Sequence, residues 1–165
     1  MQDQVDAVDI NMGCPQGIAR RGHYGAYLLS EPDLICHLVR EMHDNLKVPV
    51  TCKIRLLPDY ASDPEKTISL AKRLQDSGCS LLTVHGRTRE MIKNNIGPND
   101  FEMIARIKRA LSIHVFANGG IETLDDVHQS LSVTKADGVM VSEAILCDWN
   151  GRKTYFSRCF HDFSW

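Results

Sequence analysis

The feature that most constrains the fold is a regular alternation between short Val- and Ile-rich runs and segments of helical periodicity. Parallel strands need long crossover connections, usually helices, so this alternation predicts an α/β protein with a parallel sheet. Several runs are apolar at consecutive positions, which indicates that both faces of the sheet are covered. The predicted strands are residues 5–11, 48–54, 80–85, 113–118 and 137–142.

The segments between these strands carry signals of helix starts and ends. Apolar residues recur at three- and four-residue steps from Leu34 to Leu46, which predicts an amphipathic helix with Ser30 as its N-cap. Three later helices have start signals of the same kind. These signals are Asp63 with Pro64, Asn99 or Asp100, and Thr123 with Asp126; Gly78 is the predicted end of the first of the three.

Composition narrows the class of protein further. With 165 residues and 43% hydrophobic content, the chain can bury one core, so we expect one domain over residues 1–146 and a divergent aromatic-rich tail over 147–165. The formal charge of −2 gives no overall attraction to nucleic acid. Binding of a polyanion would therefore depend on local basic patches. The six cysteines include no CxxC pair, and no run is long enough to span a membrane. We therefore expect an intracellular protein without a metal site, located in the cytoplasm or, alternatively, in the nucleus.

Polar side chains of types that can catalyse or bind fall at the carboxyl end of every predicted strand. In parallel α/β folds these ends form the floor of the active site, most consistently in (β/α)₈ barrels. Strand ends are generally exposed to solvent and collect polar residues for that reason alone. Polar residues at the same end of all five strands nevertheless favour an active site. The residues are Asn11 and Cys14, Lys53 and Arg55, His85 and Arg87, Asn118 to Gly120, and Ser142 with Glu143.

Each of these residues has a structural interpretation beside the functional one. Cys14 is either an inert thiol or a reactive one, and Gly13 and Pro15 place it in a loop instead of the packed core. Lys53 either extends to water or faces an electron-rich ligand. His85 is a core histidine, a cofactor contact or, as the least favoured choice, a metal ligand.

Taken in order, these segments resemble the tRNA-dihydrouridine synthases. The resemblance covers residues 5–146 and rests on the motifs DINMGCPQGIARRGHYGAYLL, PVTCKIR, LLTVHGRT, VFANGGI and DGVMVSEA. The RRGHYGA and SEA segments are most similar to the eukaryotic members that act on uridines 16 and 17 of the tRNA D-loop. The resemblance implies an FMN-dependent TIM barrel that reduces a uracil with NADPH or NADH, the hydride going to C6 and a proton from a cysteine to C5.

The same resemblance assigns roles to individual residues. It implies that Cys14 is the proton donor and that Asn11 lies beside it at the substrate. It implies that FMN contacts Lys53, His85, Asn118, Gly119, Gly120, Ser142 and Glu143. An ordinary thiol, with a pKa of about 8.5, keeps its proton at neutral pH, which suits a general acid. A nucleophilic cysteine would instead need a base, for which His23 is the candidate nearby in sequence.

Basic side chains flank this predicted face and suit the phosphates of a tRNA partner. A solvated loop rim is the structural alternative for them. The target uridine must leave its stack to be reduced, which a tRNA loop allows more readily than a duplex. The arginines assigned to substrate binding are Arg20, Arg21, Arg55 and Arg87.

The chain is shorter than the resemblance requires. A TIM barrel takes about 250 residues and eight strands, whereas five strands are predicted here, so we expect a partial barrel of about five carboxyl-terminal βα units that lacks the first strands. Its open edges predict self-association. Two alternative functions stay open. One is a catalytically incompetent fragment or isoform, and the other is a different FMN barrel, such as a dihydroorotate dehydrogenase, against which the N-x-G-C-P and H-G-R-T motifs argue.

Overall fold

All five predicted strands form in the computed structural model, which describes residues 2–142. The strands are β1 (Val8–Met12), β2 (Val50–Leu56), β3 (Cys79–Thr88), β4 (His114–Asn118) and β5 (Gly138–Met140). The helices are α1 (Gly17–Gly22), α2 (Pro32–Asn45), α3 (Pro64–Asp76), α4 (Phe101–Ala110) and α5 (Leu124–Thr134). Short 3-10 helices cover Gln2–Gln4, Gly25–Ser30 and Lys93–Asn95. The tail over 147–165 and Glu143 lie outside the described residues.

The five strands make one parallel sheet in the order β1-β2-β3-β4-β5. Each strand pairs with the next one along the chain, and helices α2 to α5 lie in the crossovers. A doubly wound sheet would reverse its strand order at a switch point, whereas a (β/α)₈ barrel adds its strands in sequence. The observed order is therefore that of a partial barrel, as the sequence predicted.

The two faces of the sheet differ in chemistry. Laterally paired residues of parallel strands share a face, and alternate residues along one strand point to opposite faces. The face toward the helices carries the fully buried row Met12, Ile54, Val84 and Ala117. The opposite face carries two neighbouring rows that are mostly polar or charged. They are Asn11, Lys53, Thr83 and Phe116, and then Arg55, His85, Asn118 and Met140.

Two of the predicted helix starts are confirmed by their hydrogen bonds. Thr123 and Asp126 form a reciprocal capping box at the start of α5. The Asp100 carboxylate accepts a bond from the backbone N–H of Met103 at 2.8 Å and begins α4. Gly78 follows the last residues of α3 with a φ of +105°, a conformation that side chains disfavour. Local sequence therefore determines these boundaries.

The prediction of Ser30 as the N-cap of α2 is wrong. The N-cap is Glu31, and Pro32 takes the first helical position. The Ser30 hydroxyl instead donates to the carbonyl oxygen of Tyr27 at 2.8 Å, inside the 3-10 helix Gly25–Ser30. That 3-10 helix and α1 were not predicted, because neither segment has an apolar repeat long enough to indicate a helix.

Strands β2 and β3 extend beyond their predicted ends. Arg55 and Leu56 belong to β2, and the last residues of β3 include Arg87. Arg55 and Arg87, predicted at the carboxyl ends of these strands, are therefore part of the strands themselves, and Arg55 pairs with His85 in the sheet. None of the helices within residues 2–142 is long and apolar enough to cross a membrane.

Candidate active site

A tight loop after β1 presents Cys14 at the carboxyl edge of the sheet. The side-chain oxygen of Asn11 accepts hydrogen bonds from the backbone N–H groups of Gly13, at 3.0 Å, and of Cys14, at 3.1 Å. The carbonyl oxygen of Cys14 accepts a bond from the N–H of Ala26 at 2.9 Å. The thiol is half-buried on this loop. Asn11, predicted to contact substrate, therefore also supports the cysteine.

The 3-10 helix Gly25–Ser30 closes over the Cys14 loop. A Cβ at Gly25, whose φ is +65°, would lie 2.6 Å from the carbonyl oxygen of Cys14, so only glycine permits this approach. The Tyr27 hydroxyl donates to the carbonyl oxygen of Pro15 at 3.1 Å. The RRGHYGA motif thus ends in residues that hold the cysteine loop in place.

Arg55 joins the carboxyl ends of three neighbouring strands. Its Nε donates to the carbonyl oxygen of Gly13 at 2.9 Å, and its Nη1 donates to that of Thr88 at 2.9 Å. The residue is only 8% exposed. The sequence predicted Arg55 as a substrate contact, which stays a prediction. The structure gives it a supporting position that the sequence did not reveal.

Lys53 lies on the open face of the sheet, half-buried and next to the cysteine loop. Its Nζ is 3.4 Å from the position that a Cβ at Gly13 would take. Burial, followed by the charge of Arg55, lowers the pKa of Lys53. A partly desolvated ammonium beside a second cation favours an anionic or electron-rich ligand at this point.

His85 is a neutral imidazole with a free ring nitrogen. Burial, followed by the charges of Arg55, Lys53 and Arg87, lowers the pKa of His85 to about 3. Its Nε2 is buried and has no hydrogen-bond partner among the described residues. No cluster of three or more His, Cys, Asp or Glu suited to a metal ion occurs within residues 2–142.

Two polar residues of this region were missed by the sequence analysis. The Thr83 hydroxyl is buried and without a partner among the described residues, two positions before His85 on the same face of β3. Strand alternation alone would have indicated Thr83. Asn99 comes from the loop before α4, and its amide is buried beside His85. No sequence signal separates Asn99 from an ordinary loop residue.

The glycine pair after β4 adopts left-handed backbone angles, with φ of +99° at Gly119 and +65° at Gly120. Asn118 donates from Nδ2 to the carbonyl oxygen of Met140 at 2.7 Å and so ties β4 to β5. Arg87 Nη2 lies 3.8 Å from the Cβ position of Gly120, so this arginine approaches the predicted phosphate end of the cofactor. The cofactor roles of Asn118, Gly119 and Gly120 stay predictions.

The start of α5 is partly occupied by a side chain. The Asp126 carboxylate accepts bonds from the backbone N–H groups of Glu122, at 3.0 Å, and of Thr123, at 2.8 Å. These bonds lower the pKa of Asp126 and keep it charged. The N–H groups of Glu122 and Thr123 are therefore already satisfied by a side chain of the helix.

The remaining predicted residues lie at the surface. Arg20 and Arg21 are exposed on α1, six and seven residues after Cys14 in the sequence. Ser142 is exposed after β5, and Glu143 is outside the described residues. His23 forms an exposed contact with the Glu31 carboxylate at 2.6 Å, which directs this histidine to Glu31.

The sheet order and the polar carboxyl edge together define a class, a partial (β/α)₈ barrel with its candidate site at the carboxyl ends of the strands. Within that class, a family model described as "Dihydrouridine synthase (Dus)" matches residues 1–150. The chain therefore belongs to the dihydrouridine synthase family.

Curated relatives agree with this assignment. Over 145 residues the chain is 47% identical to a mouse "tRNA-dihydrouridine(16/17) synthase [NAD(P)(+)]-like" protein. The aligned region covers 88% of this chain and 30% of the mouse protein. The chain is 44% identical over 148 residues to the Saccharomyces cerevisiae "tRNA-dihydrouridine(16/17) synthase [NAD(P)(+)]", covering 88% of this chain and 34% of that protein. The chain thus spans about a third of the length of these relatives.

Solved structures with low sequence identity share the fold. Dihydrodipicolinate synthase from Agrobacterium tumefaciens superposes with a TM-score of 0.63 at 13% identity, over 99% of this chain and 51% of that one. N-acetylneuraminate lyase from Mycoplasma synoviae gives a TM-score of 0.58 at 16% identity, over 93% of this chain and 48% of that one. Both cover about half of the solved chain, as expected of a partial barrel.

Proposed function

We propose that this chain forms the active-site part of an enzyme that reduces uridine to 5,6-dihydrouridine in the D-loop of tRNA. The observation that carries the proposal is the placement of the Cys14 loop directly beside the Lys53 ammonium, at the carboxyl edge of a barrel-type sheet. A proton donor and a cation for an electron-rich ring are thus neighbours on one face. The names of the relatives support tRNA as the substrate and NADPH or NADH as the reductant.

The residues on the open face fit an FMN cofactor. Lys53 offers a cation to the electron-rich edge of a flavin ring, and Thr83 and His85 each have a buried polar atom without a partner among the described residues. Gly119, Gly120 and Arg87 provide backbone N–H groups and a cation for a phosphate. FMN bound there would supply the hydride that goes to C6 of the uracil.

The residues of this chain then hold the base and move one proton. Cys14 gives the proton of its thiol to C5, and Asn11, Arg55 and Tyr27 keep the loop of that thiol in position. Arg20 and Arg21, exposed on α1, contact phosphates of the tRNA loop from which the uridine is extruded. The proposed location is the cytoplasm or, alternatively, the nucleus.

The test of this proposal replaces Cys14 by Ala in the protein that carries this chain. We expect FMN content and NADPH oxidation by oxygen to stay near wild type, since the thiol does not hold the cofactor. Dihydrouridine formation in D-loop tRNA should fall by about 10²-fold or more, the scale of a lost general acid. Cys36→Ala on α2 is the matched control and should retain activity. Wild-type tRNA modification by the Cys14 variant would contradict the proposed role.

A second candidate function is that of a non-catalytic isoform or fragment. One observation favours it: within residues 2–142, β1 and β5 each pair on one side only, so the described sheet has two open edges. Such a chain would retain the tRNA-facing loops without a closed cofactor pocket. FMN that copurifies at one equivalent per chain decides for the enzyme, and binding of tRNA without FMN decides for the isoform.

A further inference from the structure

A cavity of about 210 Å³ lies at the carboxyl edge of the sheet, between the 3-10 helix Gly25–Ser30 and the segment that follows β2. Arg89 and Asp59 are the charged residues of its lining. The rest of the lining is mostly apolar, and the residues concerned are Ala26, Leu29, Leu56, Leu57 and Pro58. None of these side chains has a role in the proposed reaction, so the cavity is free for a further one.

The cavity is built from residues that also support or adjoin the Cys14 loop. The backbone N–H of Ala26, in its lining, donates to the carbonyl oxygen of Cys14 at 2.9 Å. Leu56, the last residue of β2, pairs with Thr88, the last residue of β3, and Arg89 follows directly. The cavity therefore lies next to the point at which the proposed function places the target uridine.

Arg89 is held in place by an aromatic ring and a carboxylate. Its Cζ atom lies 5.3 Å from the centroid of the Tyr27 ring, which is a cation–π distance. Its Nε donates to the Glu90 carboxylate at 2.7 Å. Arg89 lines the cavity and Tyr27 does not, which leaves one side of Arg89 to a ligand. A guanidinium plane stacks on nucleobases as it does on aromatic side chains.

The size and charge of the cavity suit one flat, uncharged ring system. A cavity of about 150 Å³ engineered into another protein accepts benzene, and sites for drug-sized ligands take roughly 300–1,000 Å³. The volume here therefore accommodates a base but not a whole nucleotide. Both charged residues of the lining have partners outside it, Arg89 in Glu90 and Asp59 in Lys66 at 2.5 Å. The described lining thus holds no unpaired cation for a phosphate.

We propose that this cavity binds a nucleobase adjacent to the target uridine of the RNA, stacked on Arg89 and enclosed by the apolar lining. The site deepens the proposed function, because it rests on RNA as the substrate. When the uridine leaves its stack, the neighbouring base loses a stacking partner, and unstacking costs free energy. Arg89 offers that base a replacement surface. The cavity therefore favours RNA in which the uridine is already extruded.

Photocrosslinking tests the contact in the unaltered protein that carries this chain. The probe is tRNA with 4-thiouridine directly before or directly after the D-loop uridine. Irradiation joins this base to the side chains that it touches, and mass spectrometry identifies the peptide. We expect one of the two positions to crosslink to residues 56–59 or to Arg89. A 4-thiouridine in the anticodon loop is the control and should not crosslink there. Absence of crosslinks to these residues from both positions would overturn the proposal.

Affinity measurements then separate the base from the RNA backbone. An abasic nucleotide at the crosslinking position should weaken tRNA binding by about 5- to 100-fold, the scale of one stacked base. Arg89→Gln should weaken binding of the intact tRNA by about 2- to 30-fold, the scale of a cation–π contact, and binding of the abasic tRNA much less. Arg109→Gln, which removes an exposed arginine paired with Glu102, is the matched control and should affect both tRNAs equally. Equal losses for both tRNAs in Arg89→Gln would refute the contact.

These readouts do not depend on dihydrouridine formation, so they separate this inference from the proposed function. If the protein binds tRNA, and the residues of the cavity neither crosslink nor respond to the abasic nucleotide, only this inference fails. If the protein does not bind tRNA at all, the proposed function fails and this site fails with it.

Discussion

The guanidinium of Arg55, in β2, donates a hydrogen bond to the carbonyl oxygen of Gly13, the residue before Cys14, at 2.9 Å. A second bond, to Thr88, connects the same side chain to the end of β3. The position of the candidate proton donor is thus coupled to two strands that follow it in the sequence. Several measurable properties should depend on this connection and on the charges around it.

Replacement of Arg55 by Lys or Ala should loosen the Cys14 loop. Two buried carbonyl oxygens lose their donor, and each unsatisfied group costs roughly 1–3 kcal/mol of unfolding free energy. Lys offers a single ammonium and cannot span both oxygens, so it should rescue only part of the loss. Denaturant unfolding gives the stability, and mass spectrometry of alkylated peptides gives the rate at which Cys14 reacts, which should rise. Arg109→Ala, an exposed arginine paired with Glu102, is the control and should change neither.

Different substitutions should affect the binding of the cofactor and the binding of tRNA. Lys53→Ala or His85→Ala should weaken FMN binding by roughly 10- to 100-fold, the scale of a lost hydrogen bond to a charged or buried group. Arg20→Ala combined with Arg21→Ala should retain FMN, raise the KM for tRNA and reduce its dependence on salt. Arg106→Ala with Arg109→Ala removes the same charge from α4 and serves as the control. Loss of FMN from the Arg20 and Arg21 variant alone would show that the two faces are assigned wrongly.

The stability of the fold should depend on pH through His85. Its pKa is about 3 in the folded chain and about 6.5 when unfolded. Between these values the unfolded state binds a proton that the folded state does not, so the unfolding free energy falls as pH decreases from about 6.5 toward 3. The slope for one proton is at most about 1.4 kcal/mol per pH unit.

His85→Gln should flatten this slope in denaturant unfolding series across that range. Carboxylates with a lowered pKa, such as Asp126, add a loss near the acid end in both proteins and cancel in the comparison. His37→Gln, on the exposed side of α2, is the control. Parallel pH profiles for wild type and His85→Gln would mean that His85 is not held neutral by the fold.

The isolated chain should self-associate through the outer strands of its sheet. Unpaired N–H and C=O groups on such strands pair readily with other chains. A charge on an edge strand blocks this pairing, so Met140→Lys, on the open face of β5, should shift the distribution toward monomer in sedimentation velocity. Ile18→Lys, on the exposed side of α1, adds the same charge away from the edge and should not. A wild-type chain that is monomeric at all concentrations, and binds FMN, would contradict this expectation.

The parts of the fold that sequence predicted are those with local signals. Thr123 and Asp126 are three residues apart, and their capping box needs no other part of the chain. Ser30 was misjudged because its segment is shaped by contact with the Cys14 loop, through Gly25 and Ala26. Tertiary contacts of this kind override a capping preference.

The same distinction applies to the candidate site. Cys14, Lys53 and His85 were predicted from their places at strand ends, and the structure puts them on one edge of one sheet. The connection from Arg55 to Gly13 spans 42 positions, and the Asn99 side chain, from the loop before α4, lies against Gly86 in β3 and Gly119 after β4. No single segment of the chain contains these relationships, so they could not be inferred from its motifs.

The alternation of an aliphatic row and a charged row across the sheet has a consequence for how this chain finds its pairing. If β2 shifted by one residue, Lys53 and Arg55 would turn into the layer between sheet and helices, while Ile54 would face the open side. Burial of two unpaired cations is prohibitively unfavourable, so pairings in which β2 is shifted by one residue are not populated during folding. Lys53 and Arg55, the cations proposed to face a ligand, therefore also specify the register in which β2 pairs.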